Sequence, residues 1–370
     1  MLNIKFRFSP NHKDSYKTPG IMNIVFIDLT SRCNLNCKYC FNADSVNGKS
    51  HDLPVSLIEK MLADENASKI PNWILSGGEP LLYPHLDKVL DLFRQKKIGP
   101  KIVTNGILLS PDVTDKWISY GVAATQVSID TLDKDKFVLL NGRNPELLDK
   151  TLANLDYGIK SPLRVVVGSV LTKLNMEDIL TLMPYFYNIG VDSYTVYLFT
   201  PGSNLSAMKN HILEFREIPG IIDTLIEKYY SICNTRIIDT DIFQIKNSEM
   251  FGKWNSKLDL RIHGCSAGQF SISVKSNGQV SPCICQDAPE FICGDLNKSN
   301  ISEIWNSHEM ITFRNSRNQI PECNGCEHFD RCYAGCRNNA FLFGNKGLYS
   351  FDPICESFRQ YKLSSSVVNL

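Results

Sequence analysis

From about Ile24 onward, short β-branched runs alternate with longer stretches whose apolar residues recur at helical spacing, and Gly, Pro, Asn or Asp marks each boundary. The pattern predicts strands over Ile24–Leu29, Trp73–Ser76, Lys101–Thr104, Thr125–Ile129, Val165–Leu171 and Ser193–Leu198. Between them it predicts helices near 55–66, 84–97, 111–120, 145–160 and 176–189. Strand–helix alternation of this kind implies parallel strands joined by right-handed crossovers. Six such units fall short of the eight of a full (β/α)8 barrel. The expectation is therefore an α/β fold built on a partial (β/α)6 TIM-like barrel. A doubly wound open sheet is the alternative, because periodicity alone does not separate the two.

The remainder divides by texture. Residues 1–22 are polar, broken by Pro10, Pro19 and Gly20, and read as an N-terminal arm. The barrel is expected over 23–230, a bridging region over 231–264, a small cysteine-rich C-terminal domain over 265–356, and a tail over 357–370. A compact region rich in Cys and Gly usually relies on metal for stability rather than on its own core.

Composition then excludes several classes. Lys plus Arg and Asp plus Glu both number 39, so the basic footprint of a nucleic-acid binder is missing. The longest apolar runs, such as Val165–Leu171, are far too short to span a bilayer. No signal-peptide pattern opens the chain, and the expected location is the cytoplasm. In that compartment 13 cysteines point to metal or redox chemistry rather than disulfides. Cys233 stands alone and suits inert burial; the other twelve cluster towards the two ends.

The first cluster, Cys33, Cys37 and Cys40, has C-x3-C-x2-C spacing and follows directly on the first strand. Loops at the carboxyl ends of barrel strands form active sites. Three thiolates can hold three irons of a 4Fe–4S cube and leave the fourth iron open. A zinc knuckle, or a structural cluster with a distant fourth ligand, fits the triplet equally well.

With Tyr39 just before its last cysteine, the triplet resembles the signature of radical S-adenosylmethionine (SAM) enzymes. That resemblance implies a SAM-binding 4Fe–4S cluster, and a 5′-deoxyadenosyl radical that abstracts a substrate hydrogen. It also implies a flavodoxin- or ferredoxin-type electron donor. The GGEP segment, Gly77, Gly78, Glu79 and Pro80, resembles the family's SAM amino-group motif. Its glycines would let backbone approach the ligand, and Glu79 would accept from the SAM ammonium. Thr104 and Asn105 of TNG, and Ser128 and Asp130 of SID, resemble family positions that contact SAM or its ribose. Asn175, Thr200, Pro201 and Gly202 sit at similar strand ends.

At the other end, Cys265, Gly278 and Cys283 precede Cys323, Cys326, Cys332 and Cys336 in C-x2-C-x5-C-x3-C spacing, and Cys355 follows. This resembles the seven-cysteine SPASM domain, with the stretch from Trp305 similar to the helix that precedes its cysteine run. A zinc ribbon is the structural alternative. The resemblance implies two auxiliary 4Fe–4S clusters, three with the SAM cluster. Cys323, Cys326, Cys332 and Cys355 would hold one, and Cys265, Cys283 and Cys336 three irons of the other. Ser271 stands where some members place a fourth ligand, and Cys285 or Cys293 could substitute; otherwise one iron is open to substrate. Asp287 is a candidate general base. Ile284 stands where sulfatase-maturing enzymes carry an aspartate, which counts against that activity.

The family implies oxidative modification of a peptide or protein substrate. The alternative is small-molecule chemistry, on a sugar, an aminocyclitol or a tetrapyrrole. About 22 residues before the first strand are too few for a peptide-recognition domain, so a leader peptide would need another surface or a separate partner.

Overall fold

The computed structural model describes residues 21–43, 50–199, 209–221, 224–225, 265–285, 288–326, 329, 333–357 and 360. Six strands lie where the sequence pattern predicts them: β1 (Ile24–Thr30), β2 (Asn72–Gly77), β3 (Lys101–Thr104), β4 (Ala124–Ser128), β5 (Val165–Leu171) and β6 (Ser193–Leu198). Helices α1 (Val55–Leu62), α2 (Leu86–Gln95), α3 (Pro111–Tyr120), α4 (Lys134–Asn141), α5 (Glu146–Lys160) and α6 (Met176–Ile189) connect them. Among the helices just named, α4 is the one the periodicity did not predict. Its apolar residues, Phe137–Leu140, run consecutively instead of at helical spacing. Its ends carry the signals: Asp133 accepts from the backbone N–H groups of Asp135 and Lys136, and Gly142 closes it at φ +64°.

Strand order decides the architecture. The sheet runs β6-β5-β4-β3-β2-β1, all parallel and in chain order, without the reversal of a doubly wound sheet. This is a partial (β/α)6 barrel. The free edge of β1, where a full barrel would close, is taken by β7 (Ser271–Val274) in parallel. Strands β8 (Gln279–Ser281) and β9 (Gly294–Asp295) then extend the sheet antiparallel.

The cysteine-rich stretch therefore leans on the barrel's core as well as on its thiols. Ile272, Val274, Val280, Leu296, Ile301 and Ile304 bury into the same apolar cluster as Val25, Ile27 and Trp73. The described helices that follow include α7 (Ile301–Trp305), α8 (His308–Ser316) and α9 (Arg337–Phe343). Among the described residues no helix is long and apolar enough to cross a membrane.

Along each barrel strand one set of side chains packs beneath the helices, such as Val25, Ile27 and Leu29 on β1 or Val165 and Val167 on β5, all buried. The opposite face is polar for a parallel sheet, with Asp28, Ser76, Gln126, Ser128, Thr195 and Tyr197. Tyr197 donates to the Gln126 side chain at 2.8 Å across the intervening strand β5. Glycine at 168 leaves room for this bond: a Cβ there would stand 2.6 Å from Gln126 Nε2 and 3.0 Å from the Tyr197 ring, so the Gln126 amide would have to shift.

Candidate active site and cluster sites

The loop leaving β1 carries Cys33, Cys37 and Cys40, all half-buried. Helix α4 braces it. Asn36 N–H donates to Asn141 O at 3.0 Å, and Lys38 N–H to Leu140 O at 2.8 Å. The Asn141 side-chain carbonyl accepts from the Cys37 thiol at 3.0 Å and lies 3.1 Å from the Tyr39 hydroxyl oxygen. Burial pushes the Cys37 thiol well up, and the nearby charges of Cys40, Cys33 and Asp130 add to it. Burial also raises Cys33. These are thiols drawn together in a place that disfavours their bare anions, which a bound cation would relieve. Among the described residues no three His, Cys, Asp or Glu side chains stand close enough to hold a single metal ion. A cluster that offers a separate iron to each sulfur suits a looser set of this kind.

The GGEP segment grips this loop. Gly78 N–H donates to Thr30 O at 2.7 Å, and Glu79 N–H to Arg32 O at 2.8 Å. A Cβ on Gly77, whose φ is +123°, would lie 2.5 Å from Thr30 O, and one on Gly78 2.2 Å from Arg32 O. The close approach these glycines permit is thus to the backbone of the cysteine loop. Gly78→Ala is expected to part the β1 and β2 loops at a cost of about 2–3 kcal/mol, read as a lower urea midpoint.

Glu79 is fully buried and accepts from Leu81 N–H at 3.1 Å, Thr104 Oγ1 at 2.8 Å and Asn105 N–H at 2.9 Å. Burial raises its carboxyl, and these three donors oppose the rise. Its oxygens already bracket the ends of β2 and β3, so a ligand ammonium would share it with the protein. Pro80 starts the short turn that follows. The Asn105 amide reaches Asn34 Oδ1 in the cysteine loop at 2.7 Å.

At the end of β4, Ser128 is exposed and Asp130 buried, although they alternate alike along the chain. The strand ends at Ser128, and Asp130 turns in to accept from Tyr39 OH and, at 2.6 Å, from Val170 N–H. Asn175 is fully buried, donating to the carbonyls of Asp130 at 3.0 Å and Val170 at 2.9 Å. It latches the ends of β4 and β5.

Burial pushes the Asp130 carboxyl up to about 6, against the pull of its two donors. The folded chain therefore holds this proton where the unfolded chain has lost it. The contribution to stability is full below about pH 4 and is lost as pH rises through about 6. Asp130→Asn is expected to stabilise the metal-free chain by about 1–2 kcal/mol at pH 7.5 relative to its effect at pH 4.5, checked by urea unfolding at both.

A second thiol group forms around β7. Cys265 is buried and receives the Arg317 guanidinium at 3.6 Å. The same side chain donates to Ala267 O at 2.8 Å and Tyr333 O at 2.6 Å. The Cys336 thiol is driven well up by burial and then by the charges of Cys265, Asp352 and Cys283. Cys283 moves down, chiefly through a hydrogen bond from the Cys285 thiol, with Lys275 and Arg317 contributing positive charge. Cys265, Cys283, Cys285 and Cys336 therefore share one neighbourhood.

Cys323 and Cys326 lie on one turn, joined by Cys326 N–H to Cys323 O at 3.2 Å. Buried Asp352 spans from the second group towards Cys355, accepting from Cys336 N–H at 2.6 Å and Ile354 N–H at 3.0 Å. Cys293 sits apart in the main core, 3.5 Å from Phe291 O. Ser271 is buried on β7 and donates to Ser266 Oγ at 3.0 Å. Cys332, Asp287, Cys233, Thr200, Pro201 and Gly202 lie outside the described residues.

Sequence reasoning missed the link between the two sites. Lys275, just past β7, is buried, with Nζ 3.8 Å from Asp28 on β1. It donates to Ile284 O between Cys283 and Cys285 at 2.8 Å, and to Asn42 just past Cys40 at 3.4 Å. Asn42 in turn donates to Asp28 at 3.2 Å. A lysine following the β7 run carries no sequence signal of its own; the pairing of β1 with β7 reveals it.

Comparison with known proteins agrees with this geometry. The Radical SAM superfamily signature matches residues 27–186, which hold the cysteine triplet, GGEP, TNG and Asp130. The SPASM signature, an iron–sulfur cluster-binding domain, matches residues 265–327. The chain carries a radical SAM domain followed by a C-terminal SPASM domain. The radical SAM domain and SPASM domain together imply iron–sulfur clusters and SAM binding. The enzyme is 24% identical over 333 residues to the AdoMet-dependent heme synthase of Methanosarcina barkeri, covering 86% of this chain and 92% of the relative. It is 23% identical over 343 residues to the PqqA peptide cyclase of Xanthomonas oryzae, covering 90% and 87%. Among solved structures, Streptococcus suis SuiB bound to S-adenosylmethionine superposes with TM-score 0.73 at 20% identity, covering 93% of this chain and 80% of that one. Native anSMEcpe with bound AdoMet gives 0.72 at 19%, covering 91% and 95%. At these identities the two structures establish the shared fold.

Proposed function

We propose that this radical SAM enzyme oxidatively modifies a peptide or protein, forming a crosslink, a thioether or an oxidised residue. The observation that carries the reading is the pairing of β1 with β7, which joins the strand before the cysteine triplet to the strand between Cys265 and Cys283. Cys33, Cys37 and Cys40 would hold the cluster, which with SAM bound would supply radical abstraction of a substrate hydrogen. The chain's own residues hold that loop through Asn141 and the GGEP backbone, and Lys275 ties it to the Cys283–Cys285 segment. Two auxiliary clusters, at Cys265, Cys283 and Cys336 and at Cys323, Cys326, Cys332 and Cys355, complete the reading. So do a flavodoxin- or ferredoxin-type donor, a separate leader-binding partner, a cytoplasmic setting and Asp287 as base. Support comes from the peptide cyclase relative and from the folds of SuiB and anSMEcpe, both also solved with peptide bound.

Small-molecule chemistry is the second reading, favoured by the likeness to the heme synthase along most of the chain. One assay separates them. The anaerobically reconstituted enzyme is given SAM, reductant and either a short peptide encoded beside it or a tetrapyrrole. The peptide reading expects 5′-deoxyadenosine release with loss of two hydrogens from the peptide mass. Turnover of the tetrapyrrole with an unaltered peptide would overturn it.

A further inference from the structure

The second thiol group contains one more cysteine than the three-cysteine set implied by the SPASM resemblance. Two other residues compete for the fourth place, and the structure disposes of both. Ser271 is buried on β7, opposite Ile24, and its hydroxyl is engaged with Ser266 at 3.0 Å. Cys293 is packed in the main core with Leu296 and Ile304, and its thiol points to Phe291 O. Cys285 is different. Its backbone N–H lies 3.4 Å from Cys283 Sγ, so the Cys283–Cys285 segment curls around that sulfur.

We propose that Cys285 is the fourth thiolate of the cluster site formed by Cys265, Cys283 and Cys336, so that no iron there is open to substrate. Lys275 holds the carbonyl of Ile284, the residue between the two cysteines, at 2.8 Å, so this turn keeps Cys285 beside Cys283. The surroundings suit four thiolates. The net charge of an all-thiolate cubane is more negative than that of a three-thiolate one, and buried cations stand against this site. Lys275 donates to Ile284 O between the two cysteines, and Arg317 donates to Cys265. A substrate group would then meet this cluster only through space, which limits the site to passing electrons. The proposal rests on the reading of this region as iron–sulfur-binding.

The test uses the full chain carrying Cys33, Cys37 and Cys40→Ala, so that only auxiliary clusters contribute to the spectrum. After anaerobic reconstitution and reduction, electron paramagnetic resonance is recorded with and without cyanide, a small ligand for an open iron. The spectrum is expected to ignore cyanide. Adding Cys285→Ala is expected to make one auxiliary signal cyanide-sensitive, whereas Cys293→Ala leaves the parent behaviour. If the alanine variant loses that cluster, Cys285→Ser, which keeps an oxygen ligand, is expected to restore it with a shifted signal. A cyanide shift in the parent, or a Cys285→Ser or Cys285→Ala spectrum identical to the parent, would overturn the proposal alone. Zinc in place of iron in the parent, seen by metal analysis, would overturn the iron–sulfur reading and the proposal together.

Discussion

Replacing Cys33, Cys37 and Cys40 together by alanine is expected to remove about four irons per chain and to abolish SAM cleavage. With two auxiliary clusters the reconstituted enzyme would hold about 12 irons and the variant about 8. The fold should survive. The loop is held by backbone bonds from Asn36 and Lys38 to α4, and by the GGEP grip on Thr30 and Arg32. None of these contacts uses a thiol. Circular dichroism and the urea midpoint of the metal-free chain are therefore expected to match the parent, while 5′-deoxyadenosine falls to the blank. Iron that stays near 12 in the variant, or cleavage that persists, would place the SAM cluster elsewhere in the chain.

The second large effect is expected at Lys275. Its ammonium and the Asp28 carboxylate are about nine-tenths buried or more, and Asn42 and the Ile284 carbonyl complete the network. Lys275→Met leaves Asp28 buried without its counter-charge, and removing one partner of such a pair costs about 3–5 kcal/mol. Lys275→Met with Asp28→Asn removes both charges and is expected to recover at least half of that loss. Urea unfolding of the metal-free parent, both single variants and the double variant closes the cycle. Additive losses would show that the two groups do not interact. Since Lys275 also lies beside Cys283 and Cys285, its loss is expected to lower the auxiliary reduction potential, seen by potentiometric titration.

The barrel was legible because its signals are local. Six strands and five helices announce themselves by period and by their boundary residues, and the cysteine spacings by count. What the sequence hid was non-local. The short run of β7, SISV, gives no sign that it lies against β1. Lys275, Asn42 and Asp28 therefore look like unrelated polar residues until the strands are paired. Gly77 and Gly78 show plainly as a place for close approach, but the neighbour they admit, the backbone of Thr30 and Arg32, belongs to a different loop. Likewise Asn141 ends a helix whose run of apolar residues masks its period, and nothing in that run foretells a hydrogen bond to Cys37. Cys285 and Cys293 are equal by spacing. Only burial and neighbours separate Cys285, beside Cys283, from Cys293, packed in the core.

The pairing of β1 with β7 also sets an order of events during synthesis. Ile24 meets Ser271 about 250 residues later in the chain, so the contact is among the least local in the molecule. Strand β2 can cover one side of β1 early. The other side, a row of backbone donors and acceptors leading to the cysteine loop, must wait until the ribosome has produced residues 271–274. Until then it is an open strand edge of the kind that recruits other chains. A chain stopped before residue 271 would keep that edge for good, and would be expected to accumulate as aggregates rather than as a free-standing barrel.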